Sequence, residues 1–166
     1  DDNNTLSLAT TYTDLAGNNG PAETTANYEV DTLAPTVNSV AITGAAGVQN
    51  SFVNAGDNVS VTATFSEAVI VDNSSGNPTI TLVVGSTNRT AAYASGDNST
   101  ALVFQYTIQA TGTSGENDDN GTSIGANALD NNSSTIRDRA GNIATDLTHS
   151  AVPDNSSVKV DTTPHS

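Results

Sequence analysis

The side chains with chemistry to offer are carboxylates, and most of them sit where the chain turns. Eighteen acids face four Lys and Arg residues over 166 positions, a formal charge of −14, and fourteen of the acids are Asp. Asp serves turns and the oxygen-rich loops that hold hard cations; calcium takes ~6–8 oxygens from carboxylates, carbonyls and water. Two groups are candidates for a structural calcium ion. Asp1, Asp2, Asp31, Glu67 and Asp138 form the first, and Glu116, Asp118, Asp119 and Asp161 the second. The run Glu116-Asn117-Asp118-Asp119-Asn120-Gly121 is similar to part of a calcium loop, without the full EF-hand pattern or helical flanks. A plainer reading stands beside this one. Asp138 can cap the turn Asp-Arg-Ala-Gly-Asn through its own side chain, and Asp31 or Asp161 can be a linker residue with no ligand. An unbalanced charge costs self-repulsion, which divalent cations would relieve.

Other chemistry is poorly supplied. Cysteine is absent, so there is neither a disulfide framework nor a thiolate zinc site, and His149 and His165 do not make a cluster. Ser150 follows His149, but neighbours in a strand point to opposite faces, and no G-x-S-x-G elbow occurs. No catalytic residues are assigned and the chain is not expected to be an enzyme; His149 reads as a surface or sheet residue. Tyr12, Tyr28, Tyr93 and Tyr106 read as core or sheet-face packing rather than a sugar platform, in a chain without Trp. Nucleic acid and anionic membrane surfaces are poor partners for a chain with so few cations. No apolar run is long enough for direct membrane insertion as a helix. Methionine is also absent. The chain therefore reads as a processed product or a piece of something longer, with any export signal or anchor expected outside it.

The elements that must position the acids are strands. Hydrophobic residues make up 35%, with seven aromatics, which suits a thin sandwich core. Val59, Val61, Ala63 and Phe65 alternate with polar residues, as do Leu102, Phe104, Tyr106 and Ile108. Seven strands are expected: A at 37–43, B at 57–65, C at 79–84, D at 89–94, E at 101–109, F within 122–138 and G at 156–161. Turns rich in Gly, Asn and Asp separate them. The fold class expected is all-β, a seven-strand immunoglobulin-like β-sandwich preceded by a two-strand segment.

That leading segment follows from an internal repeat. TYTDLAGN at 11–18 matches TIRDRAGN at 135–142, YEVDTLAP at 28–35 matches VKVDTTP at 158–164, and DDNNTLSLA at 1–9 matches DDNGTSIGA at 118–126. Residues 1–32 therefore read as the C-terminal F–G hairpin of a preceding repeat, with strands at about 5–13 and 24–30, and residues 33–164 as a complete one. In such a sandwich the B–C, D–E and F–G loops share one end. That end brings Asp31 of the incoming linker towards Glu67, expected in the B–C loop, and Asp138 in the F–G turn, with Asp1 and Asp2 from the preceding unit. Glu116, Asp118, Asp119 and Asp161 fall at the outgoing end.

The stretches FVNAGDNVSVTATFSEAVIV at 52–71, PTITLVVG at 78–85, AAYASGDNSTALVFQYTIQ at 91–109 and IRDRAGNIATDLTHSAVPDNSSVKVDTTP at 136–164 carry a resemblance. They resemble the immunoglobulin-like or cadherin-like tandem repeats of giant bacterial surface adhesins of the RTX, biofilm-associated type. The last linker departs from the pattern by lacking Ala before Pro. The resemblance implies a secreted extender repeat at the bacterial cell surface, stiffened by calcium between repeats, serving cell adhesion or biofilm formation. Its partners would be neighbouring repeats of the same polypeptide, with a host or biofilm ligand met through other domains. Two further readings remain open: a self-assembling filament subunit that donates its N-terminal strands to neighbouring subunits, and a ligand-binding adhesin module.

Overall fold

A computed structural model describes residues 4–110 and 118–163. Its contacts divide the chain into Asp1–Leu33 and Ala34–Ser166. In the first unit β1 (Ser7–Leu8) pairs antiparallel with β2 (Glu23–Thr24), and single bridges join Asn4 to Tyr28 and Thr13 to Asn19. These strands are shorter than the sequence suggests. Residues 12–20 fold back on themselves instead, around Asp14 and around Gly17 at a φ of 86°, a left-handed position that suits glycine.

The second unit is an immunoglobulin-like β-sandwich. Its strands are β3 (Val37–Ala46), β4 (Phe52–Val53), β5 (Asn58–Asp72), β6 (Thr79–Val84), β7 (Thr87–Ser95), β8 (Ser99–Thr107), β9 (Asp118–Asp130), β10 (Thr135–Arg137) and β11 (Val152–Val160). No helix occurs among the described residues. The lateral order β3-β5-β8-β7 is that of strands A, B, E and D, and β6-β9-β11 that of C, F and G. The β6–β7 hairpin joins the two sets. Its register closes at Val84 opposite Thr87 around a two-residue turn, with Gly85 at positive φ.

Period-two alternation decides what is buried. Val59, Val61, Ala63 and Phe65 of β5 turn inward to meet Ile80, Leu82 and Val84 of β6 and Leu102 and Phe104 of β8 in one hydrophobic core. Val53, Ile124, Ile136, Val158 and Val160 join it from β4, β9, β10 and β11, and Val40 and Ala91 from β3 and β7. Tyr93 and Tyr106 pack against this core, as expected for them, whereas Tyr12 and Tyr28 are exposed.

Several strand ends shift by two to four residues from the sequence expectation, and three differences are larger or of another kind. β5 runs on past Phe65 to Asp72, through an irregularity where its pairing with β8 passes from Thr64–Ala101 to Val69–Ser99. Strand F is replaced by β9 at 118–130 and the short β10 at 135–137. Asn131 to Ser134 turn between these, with Asn132 and Ser133 at positive φ. The parallel β4 at 52–53 has no counterpart in the seven strands expected.

The β7–β8 turn depends on Gly96. Its φ is 106°, and a Cβ there would lie 2.1 Å from the Ala101 carbonyl oxygen. Gly96→Ala is expected to cost at least ~1–2 kcal/mol, from the backbone conformation alone. Gly44→Ala in β3, where a Cβ meets nothing within 4 Å, is expected to be close to neutral. Urea midpoints of the two variants make the comparison.

Candidate metal centre

Glu67 and Asp138 are brought together, each contributing a carboxylate oxygen within 4.8 Å of the other. Glu67 lies within β5, not in the B–C loop where the sequence places it, and it falls in the irregular stretch between Thr64 and Val69. A bulge re-aims side chains in this way. The neighbouring Ser66 fixes the entering chain: its N–H donates to the Thr36 carbonyl at 2.9 Å and its Oγ accepts the Thr36 N–H at 3.0 Å. Glu67 is partly buried.

Asp138 opens the turn after β10 and is buried. Its Oδ1 accepts the Gly141 N–H at 2.6 Å and the Asn142 N–H at 2.8 Å, and its Oδ2 accepts the Asn142 side-chain amide at 2.7 Å. The turn closes through Asp138 N–H to the Asn142 carbonyl and Ala144 N–H to the Ile136 carbonyl. So the turn-capping role is real for this residue. Arg139 Nε donates to Asn98 Oδ1 at 3.0 Å, and Asp97 Oδ1 accepts the Val71 N–H at 2.8 Å. Together these bonds fasten the β7–β8 loop to the end of β5 and to the Asp138 turn.

Burial pushes the Asp138 carboxyl up. Hydrogen bonds from the Asn142 side chain and from the Asn142, Gly141 and Ala140 backbone outweigh it, so the group is held below the usual Asp range. The Asn18 side chain does the same for Asp14, Ser74 for Asp72 and Thr148 for Asp146. Carboxyls lowered by folding stabilise the fold above the unfolded Asp value, ~3.9, and that contribution is lost as pH falls through the lower folded values. Melting temperature is therefore expected to hold from neutrality to about pH 5 and to fall below it. A rise on acidification would contradict this, and Asp138→Asn should flatten the acid limb.

A buried carboxylate kept ionised beside a second carboxylate is an oxygen-donor arrangement for a hard cation. Both sides of it come from rigid sheet or a tightly bonded turn. Full calcium coordination needs further oxygens from other carboxylates, carbonyls or water.

The other candidate residues are placed as follows. Asp31 is partly buried near the end of the first unit, and its Oδ1 accepts the Leu33 N–H at 3.0 Å. Asp1, Asp2 and Glu116 lie outside the described residues. Asp118 and Asp119 are positions of β9, where the Asp118 backbone is in register with Val160. Asp161 follows β11; its N–H donates to the Val53 carbonyl at 3.0 Å and its Oδ1 accepts the Thr163 N–H at 3.0 Å. It lines a groove of about 660 Å³ with Gln49, Phe52, Asn54 and Thr163. No cluster of three acids that includes Asp161 forms among the described residues.

His149 is outside any strand and does a structural job that spacing alone does not reveal. Its Nε2 accepts the Ala128 and Leu129 N–H groups at 2.8 and 3.2 Å, which fixes the proton on Nδ1, 2.8 Å from the Ser150 carbonyl oxygen. The backbone there is bent, with Asn127 at a φ of 56°, so two β9 donors depend on the ring. The run Gly125-Ala126-Asn127 is the only sequence hint of this bend. His149→Ala is expected to cost about 1–3 kcal/mol through the orphaned donors; His149→Gln, which keeps an acceptor, is expected to cost less in the same denaturation measurement.

Compared with known proteins, the chain matches no family model, no curated sequence and no solved structure.

Proposed function

We propose that the chain is a structural extender repeat of a secreted bacterial surface adhesin, stiffened by calcium where one repeat meets the next and supporting cell adhesion or biofilm formation. The observation that supports this most is the Glu67–Asp138 pair on an immunoglobulin-like sandwich. Two carboxylates so close repel one another unless a cation or proton intervenes, and the hydrogen bonds on Asp138 favour its ionised form. In this reading Asp31, entering from the preceding unit, supplies a third carboxylate, and Asp161 serves the following joint in the same way. The bound calcium is structural: it adds stability and reduces hinge motion, and no reaction passes through it. The internal repeat supports the tandem arrangement.

Melting with and without chelator tests the cation. Calcium at a hundred times its Kd stabilises by about 2.7 kcal/mol, so chelation should lower the melting temperature and calcium restore it. Asp31→Asn should remove that response and Asp97→Asn should leave it. Coincident curves with and without chelator would sink the calcium reading. Solution scattering in the same titration reports whether the particle stiffens.

A second reading, a filament subunit that donates its N-terminal strands, is favoured by the exposed Leu6, Leu8, Tyr12 and Tyr28 of the first unit. It predicts concentration-dependent assembly that disappears when residues 1–32 are removed. A ligand-binding module has no comparable support.

A further inference from the structure

The two copies of the D-x-A-G-N turn share their bonds as well as their letters. Asp14 Oδ1 accepts the Ala16 and Asn18 N–H groups at 2.8 and 3.0 Å, and its Oδ2 accepts the Asn18 amide at 3.0 Å. This is close to the set around Asp138. Gly20 N–H donates to the Tyr12 carbonyl at 3.0 Å as Ala144 does to Ile136 at 2.9 Å. Gly17 and Gly141 have φ values of 86° and 100°. Downstream, Asp31 caps Leu33 as Asp161 caps Thr163, each at 3.0 Å. The local backbone of residues 12–20 and 28–33 thus follows that of 136–144 and 158–163, and Tyr12, Tyr28 and Val30 stand where Ile136, Val158 and Val160 stand.

Their surroundings differ sharply. Ile136, Val158 and Val160 are 1%, 5% and 0% exposed, whereas Tyr12, Tyr28 and Val30 are 42%, 52% and 39% exposed. The second unit shows what covers such a face. Ile136 is in antiparallel register with Val71 of β5, Val160 is in parallel register with Val53 of β4, and the core of β5, β6 and β8 lies beneath.

We infer that residues 4–33 are a docking surface for the remainder of a sandwich of their own kind. The partner is a chain segment carrying strands equivalent to β3 through β8. It lays one strand antiparallel to residues 11–13 and a short one parallel to residues 29–30, and it buries Tyr12, Tyr28 and Val30. Pairing supplies main-chain hydrogen bonds, and the apolar face supplies the burial that a two-strand element cannot find alone. This rests on the tandem-repeat reading but not on calcium.

The test places a copy of residues 34–117 ahead of Asp1 in the full chain. Asn117 is then followed by Asp-Asp-Asn, as it is at 118–120. Amide hydrogen exchange is measured in chelator, so the outcome is independent of the cation. In the original chain the paired amides of residues 4–33 should exchange fast; in the extended chain they should slow by at least ~100-fold. Tyr12→Asp in the extended chain should abolish the slowing and leave exchange in β5 and β8 of the original second unit unchanged. A second extended chain carrying Tyr12→Ile and Tyr28→Val, whose face matches residues 136 and 158, guards against a poor fit between the two sequences. Slow exchange of residues 4–33 in the original chain, or no slowing in either extended chain, overturns the inference.

Discussion

Asp138→Ala is expected to abolish the calcium-dependent rise in melting temperature and, separately, to lower the melting temperature measured in chelator. The two losses have different causes. The first follows from removing one of the two carboxylates that come within 4.8 Å of each other; losing a ligand of this kind is expected to weaken calcium by at least ~100-fold. The second follows from the acceptors that Asp138 gives to Gly141, Asn142 and the Asn142 amide. Without them, donors in a partly buried turn lose these acceptors. Asp138→Asn separates the effects, because one side-chain oxygen remains to cap the turn while the charge is gone. It should keep much of the stability in chelator and lose the calcium response. Glu67→Gln should lose the response with little change in chelator. Isothermal titration with calcium alongside thermal melts reads both quantities. Retention of full calcium response in Asp138→Asn would remove this residue from the cation site and leave it as a turn cap.

Phe104→Ala should produce the largest loss of stability in the second unit, about 3–5 kcal/mol. Phe104 is fully buried on β8, in register with Val61 of β5 and Tyr93 of β7. Its ring meets Tyr93 edge-on, with centroids 6.0 Å apart and planes at 69°, a contact that contributes beyond its area. Strands on both sides hold its walls, so the space left by truncation cannot collapse readily. For a unit of this size the melting temperature should fall by roughly 10–20 °C. Tyr12→Ala, on the exposed face of the first unit, should leave that transition where it is. A shift under ~1 kcal/mol for Phe104→Ala would mean that the core is not packed as described.

The part of the fold written plainly in the sequence is the part governed by alternation. Val59, Val61, Ala63 and Phe65 are buried together because a pleated strand against one core admits no other arrangement. Leu102 and Phe104 follow the same rule. β9 escaped it, since DDNGTSIGANALD offers turn residues throughout and its bend at Asn127 is stabilised by His149 from twenty-two positions away. β4 escaped too, because two residues held by a parallel partner leave no periodic trace. For the acids, Asp138 was legible from its turn motif, and Glu67 from its place after an alternating run. The irregularity that aims Glu67 was not, because a bulge depends on how β8 pairs, and pairing is a property of two distant segments. In the structure Asp138 caps its turn and also stands beside Glu67, where the sequence posed cap and ligand as alternatives.

The parallel contact between β4 and β11 has a mechanical consequence. Lys159 N–H donates to the Ser51 carbonyl and Asp161 N–H to the Val53 carbonyl, side by side along the exit strand. Tension applied through the C-terminal end runs along β11, nearly perpendicular to these bonds. They are loaded together in shear instead of being peeled open one after another, and antiparallel β9 grips the opposite edge of the same strand. Such a strand resists pulling along its axis far better than it resists lifting from one end. Linked in tandem, as proposed above, such units would stretch at their linkers before a sandwich yields.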